Sequence, residues 1–183
     1  MLLSAMAVVA IQVGDPATVA DASERLRLAA PAAAAFPNTT LQGYGVEATA
    51  PRAIRAEMNR VRPGVNGRRH DATTTWRYTY SLPASNGQCD PATAVVSHAI
   101  TIVMPDLQNR DRLRRADKAA WDRYFAALQA HEVNHAGIAQ LGAERYQAAL
   151  RSAPDCQAAR AAAAQVNADV SAASAEYDRL TEH

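Results

Sequence analysis

A chain of 183 residues with 19 Lys+Arg against 18 Asp+Glu has room for one domain around a single core. Its net charge of +1 lacks the basic surplus of an electrostatic nucleic-acid binder, and no apolar run reaches the roughly 20 residues of a membrane span. The hydrophobic fraction of 49% rests on 43 Ala, with aromatics at only 5%, so helices here must pack through small side chains.

Met1 to Gly14 is a short apolar stretch followed by Ala20-Asp21-Ala22. An apolar segment ahead of an A-x-A site predicts a secretory signal over residues 1–22, and hence a secreted or periplasmic protein. No Lys or Arg precedes the apolar run, which is atypical, and a buried N-terminal helix or strand is the alternative. Residues 23–40 include the patternless AAPAAAAFPN, expected as an Ala/Pro-rich linker to a domain over 41–183. Cys89 and Cys156 lie 67 positions apart and form no C-x-x-C. In an exported protein that spacing predicts one disulfide closing a long loop; two buried thiols are the alternative.

Pro51 to Arg62 carries Ile54, Met58 and Val61 at helical spacing, stopped by Pro63-Gly64. Thr73 to Leu82 alternates, with Trp76, Tyr78, Tyr80 and Leu82 on one face, which predicts a half-buried strand. Ala94 to Met104 is a second β-rich run, expected to pair with the first as an antiparallel hairpin with a long connection. From Asp111 to Leu150 no Pro occurs, and Trp121, Phe125 and Leu128 mark the apolar stripe of a long helix. After Pro154-Asp155 a second Ala-rich helix runs to about Arg179. The predicted class is α+β: a short helix, a small antiparallel sheet, then a long helical hairpin.

The chemistry-bearing motif is His131-Glu132-Val133-Asn134-His135, an H-E-x-x-H on the long helix. Residues four apart share a helical face, so both imidazoles can reach one Zn²⁺ at about 2.0–2.1 Å. Glu132 sits one step round, placed as a general base toward a water on that ion. Continuing the stripe Trp121–Phe125–Leu128 by four and three lands on Glu132 and His135. Polar groups therefore occupy core positions, where they need partners. The metzincin extension fails at Ile138 and Leu141. Glu144 is half a turn out of phase and should face solvent; Glu176 is the one Glu available on the following helix. An antiparallel hairpin returns residues 177–183 beside the two His, which makes His183 a candidate third ligand and Asp178 the next. His98 reads as a satisfied sheet residue, His70 as loop surface, and Tyr177 as packing against the hairpin unless it points at the metal to stabilise an oxyanion. No G-x-S-x-G, phosphate-binding Gly loop or Cys/His nucleophile pair is present.

With Trp121, the two Cys, Tyr44 to Val46, Thr75-Trp76, Pro105 and the closing Y-D-x-x-T-x-H, the chain resembles a bacterial family of predicted secreted zinc-dependent proteases, domain of unknown function number 922, over about residues 42–183. The resemblance implies a zincin-like fold, with His131, His135 and His183 on the metal and Glu132 as base. The chain stops at His183, where relatives run on by a residue or more. The function expected is a zinc-dependent metallopeptidase acting on a peptide or protein that lies along the sheet edge as an added strand. The rival is an exported zinc-binding or interaction module without turnover, whose site would be closed by a fourth protein ligand such as Asp178. Zinc-assisted hydrolysis of a non-peptide amide is a third possibility, and the oligomeric state is not legible.

Overall fold

The computed structural model describes residues 16–65, 68–85 and 88–181. Helices α1 (Pro16–Ala29) and α2 (Pro31–Ala34) precede strand β1 (Thr39–Val46) and helix α3 (Pro51–Val61). Two short ribbons, β2 (Gly64–Val65) with β3 (Arg68–Arg69) and β5 (Ala84–Ser85) with β6 (Gln88–Cys89), flank strand β4 (Thr73–Ser81). Strand β7 (Val95–Leu107) then leads into the helices α4 (Arg115–Arg151) and α5 (Cys156–Thr181).

The expected hairpin forms: β4 pairs antiparallel with β7, from Thr73 opposite Val103 to Ser81 opposite Val95. The sheet is nevertheless mixed, because β1 adds to the other side of β7 in parallel, Thr39 opposite Ile100 through Val46 opposite Leu107. The order β1-β7-β4 leaves β4 at an edge. The all-antiparallel expectation fails at β1. Its sequence TTLQGYGV has two Gly and buries Leu41, Gly43 and Val46 out of strict alternation, so it carries no period-2 signal.

The linker expectation for 23–40 also needs correction. Leu26, Ala30 and Ala33 are buried in the same core as Leu41, Ile102 and Phe125. Small Ala side chains let α1 and α2 lie close against β1, which composition alone reads as a featureless tether. A polar clamp joins them to the sheet: Arg25 donates through Nε to Asp106 Oδ2 at 2.8 Å, and Asp106 is buried on β7. Residues 1–15, most of the expected signal, lie outside the described residues, and the expected cut after Ala22 falls inside α1.

Two cores meet across the long α4. Trp121, Phe125 and Leu128 join the sheet core with Ile54 and Met58 of α3. Farther along, Tyr146 and Leu150 pack with Ala159, Ala163, Val166 and Val170, the buried stripe of α5. At Gly142 the hairpin packs without room for a side chain, since a Cβ there would overlap the Tyr78 hydroxyl and Val170. Tyr78 uses the space to donate to the Ala139 carbonyl at 2.7 Å, tying β4 to α4. The Cys89–Cys156 disulfide pins the start of α5 to the β4–β7 connection, with the Cα atoms 6.3 Å apart.

Asp71, just before β4, is a second fastening. Its carboxylate accepts from Arg55 at 2.6 Å, Arg62 at 3.0 Å and Tyr124 at 2.7 Å, and its carbonyl from Tyr44 at 2.6 Å. Burial pushes the carboxyl up, but the bonds from Arg55, Tyr124 and Arg62 outweigh it and hold Asp71 below the ordinary aspartate value. Burial likewise pushes the Tyr44 and Tyr124 phenols well up, so both stay protonated donors.

Two outcomes follow for stability. Cys89→Ser/Cys156→Ser should lower the unfolding free energy in urea by about 2–4 kcal/mol, and an unchanged midpoint would deny the disulfide any part in holding the hairpin. Because the folded pKa of Asp71 is depressed, its contribution is present above the unfolded value of about 3.9 and is lost as pH falls through the folded value. Asp71→Asn should therefore be less stable near neutrality and show a flatter acid limb below about pH 4 in pH-dependent unfolding.

Candidate metal centre

The stripe that carries Trp121, Phe125 and Leu128 into the core brings His131, Glu132 and His135 with it, and all three are buried. The return of α5 sets Asp178 against them. Asp178 Oδ1 lies 3.1 Å from His131 Nε2 and 2.8 Å from His135 Nε2, and the two Nε2 atoms are 2.9 Å apart. The opposite ring nitrogens face hydroxyls: His135 Nδ1 is 2.9 Å from Ser174 Oγ, and His131 Nδ1 is 3.5 Å from Thr181 Oγ1. Thr181 already gives its proton to the Tyr177 carbonyl at 2.8 Å, so toward His131 it is an acceptor. Nδ1–H turned outward on both rings would leave each Nε2 lone pair aimed at the same point as the Asp178 carboxylate. Three acceptor atoms converging at about 3 Å suit a cation bound between them, and two imidazoles with one carboxylate are a zinc donor set.

Glu132 is held apart from this triad. Its carboxylate accepts from Thr74 Oγ1 of β4 at 2.7 Å, and the same hydroxyl lies 3.1 Å from the Glu132 carbonyl. Burial, with a smaller push from the Asp178 charge, raises the Glu132 pKa to about 7 against the lowering effect of Thr74. Tyr177 stacks on the His131 ring at 4.9 Å and meets the His135 ring edge-on at 5.1 Å, while its hydroxyl accepts from Asn134 at 2.7 Å. It packs the imidazoles in place.

His131, Glu132, His135 and Asp178 line a cleft of about 800 Å³ between the edge strand β4 and α5, with Thr73 to Trp76 on one wall and Asn167, Ser171 and Ser174 on the other. Arg69 and His70 stand at one end. A second cleft of about 370 Å³ continues beside β4, walled by Tyr78, Tyr80, Tyr146 and Arg160, and shares Trp76 and Asn167 with the first.

The site residues expected from sequence divide clearly. His131 and His135 meet as the helical spacing requires, Glu132 stands beside them on Thr74, and Asp178 is the third donor within reach among the described residues. His183 lies outside the described residues. Glu176 is exposed and pairs with Arg179, and Glu144 faces solvent. His98 is satisfied by Gln140 at 2.8 Å and Asn38 at 3.1 Å, and His70 is exposed. Sequence reasoning missed Thr74, Ser174 and Thr181. Thr74 left a trace: it shares parity with Trp76 and Tyr78, so it is a hydroxyl on the face turned to the core.

Comparison with curated proteins and with solved structures found no match. A family model described as "Bacterial protein of unknown function (DUF922)" matches residues 41–183, the span holding all of the sheet but Thr39 and Thr40, the disulfide and His131, Glu132, His135 and Asp178. The chain therefore belongs to this bacterial family of unknown function, DUF922.

Proposed function

We propose that this protein is a zinc-dependent metallopeptidase with a zincin-like arrangement, in which His131, His135 and Asp178 hold the metal and Glu132 is the general base. The observation that carries the reading is the convergence of two Nε2 atoms and one carboxylate oxygen beside a separately tethered glutamate. Zinc bound there supplies a water acidified toward pKa 7 and a Lewis acid for a peptide carbonyl.

The remaining work belongs to the chain. Thr74 fixes the Glu132 carboxylate so that it can take a proton from the attacking water and return it to the leaving nitrogen. Ser174 and Thr181 fix the tautomers of the two imidazoles. The free edge of β4 lies along the cleft, ready to take an extended peptide as an added strand. Export fits the disulfide, since such bonds persist in oxidising compartments, and with it a leader over residues 1–22. His183, which the family resemblance implies as a ligand, is the competing third donor. If it joined Asp178 the site would have four protein ligands and would be structural, which is the second reading: a zinc-binding module without turnover.

Elemental analysis of the purified protein should find about one zinc per chain, lost in His135→Ala and Asp178→Ala and kept in His183→Ala. Loss in His183→Ala alone would transfer the third position to that residue. On fluorescent casein, Glu132→Gln should keep the metal and lose activity by roughly 10²–10⁴-fold. A fully loaded wild type that leaves casein intact would favour the module, and a protein that takes up no zinc would sink both readings.

A further inference from the structure

The two clefts form one groove, because Trp76 and Asn167 line both. Strand β4 runs along it from Thr73 to Tyr80, about 23 Å at the rise of an extended chain, enough for roughly seven residues of an added strand. The charges within it are unevenly committed. Of the acids that line it, Asp71 is paired with the Arg55 and Arg62 cations and Tyr124, Glu132 accepts from the Thr74 hydroxyl, and Asp178 faces the two imidazoles. The guanidiniums at the two ends have no carboxylate partner among the described residues. Arg69, at the Thr73 end, gives Nη1 to the Asn59 and Arg60 carbonyls at the end of α3, which orients it and leaves Nε and Nη2 unused among the described residues. Arg160, at the Tyr80 end, is exposed on α5 and has no hydrogen-bond or ion-pair partner among the described residues. Thr73, on the wall between them, keeps a buried hydroxyl without a protein partner among the described residues.

A groove whose ends carry exposed guanidiniums without a carboxylate partner among the described residues attracts anions there and can receive carboxylates in forked pairs. We infer that the groove selects an acidic polypeptide segment, with Arg69 and Arg160 as the residues that set this specificity. The inference rests on the peptidase reading for the occupant being a polypeptide. The preference for acid rests on the charge distribution alone.

Binding separates the two. With Glu132→Gln protein, which binds without turning over, the anisotropy of three fluorescein-labelled dodecapeptides is compared: one alternating Glu with Val, and its Gln and Lys counterparts. The Glu peptide should bind about tenfold more tightly than the Gln peptide, since two exposed pairs each contribute a few-fold, and the Lys peptide more weakly still. The advantage should shrink in 0.5 M salt, roughly a threefold rise over physiological ionic strength. Arg69→Ala/Arg160→Ala should abolish it, and Arg69→Glu/Arg160→Glu should reverse it. Equal affinities for the Glu and Gln peptides, no binding of any peptide, or a preference that survives the double Ala variant would overturn the inference. An acidic preference in a protein that never cleaves casein would overturn the peptidase reading and leave this one standing. Cleavage without charge preference would do the reverse.

Discussion

The Nε2 atoms of His131 and His135 and the Asp178 carboxylate meet within about 3 Å of one another, a buried polar cluster that a shared proton or a bound cation would hold together. Much of the architecture serves that meeting. His131 and His135 come from one turn of α4, fixed by helical geometry, whereas Asp178 comes from a different helix and depends on the register of the hairpin. The register is held by small residues and one covalent bond: Gly142 admits Tyr78 and Val170, Ala159 and Ala163 bring α5 close, and Cys89–Cys156 fixes where α5 begins. A slip of one residue would rotate Asp178 by about 100° about α5 and take its carboxylate out of reach.

The sheet contributes in a different way. Strand β4 gives Thr74 to Glu132 and Tyr78 to the Ala139 carbonyl, so the edge strand is bonded to the α4 segment that carries the motif. At the start of β4 the Asp71 network joins α3, β1 and α4 through Arg55, Tyr44 and Tyr124. The wall of the groove and its floor are thereby bonded to each other. Strand β4 keeps one edge without a strand partner among the described residues, and that edge borders the cleft.

How far the sequence foretold this depended on whether the controlling interaction was local. The i, i+4 spacing of His131 and His135 and the stripe ending on Glu132 are properties of one helix, so their burial and convergence were legible. The β4–β7 pairing was legible because Trp76 and Tyr78 alternate with polar residues. Strand β1 was not, because parallel pairing with β7 is non-local and its two Gly erase the pattern. The role of residues 23–40 was hidden for a related reason: Ala30 and Ala33 carry no amphipathic signal, yet their smallness is what lets them pack. Asp178 emerged from the hairpin argument only as one of several candidates, since helix lengths fix where a chain returns to within a turn, not which atom arrives.

The most direct test of the account is X-ray absorption at the zinc edge of the protein loaded with a single equivalent of zinc. Asp178 with the two imidazoles predicts a first shell of two imidazole nitrogens and the rest oxygen, at about 2.0–2.1 Å. A shell with three imidazoles, or one with none, would contradict it.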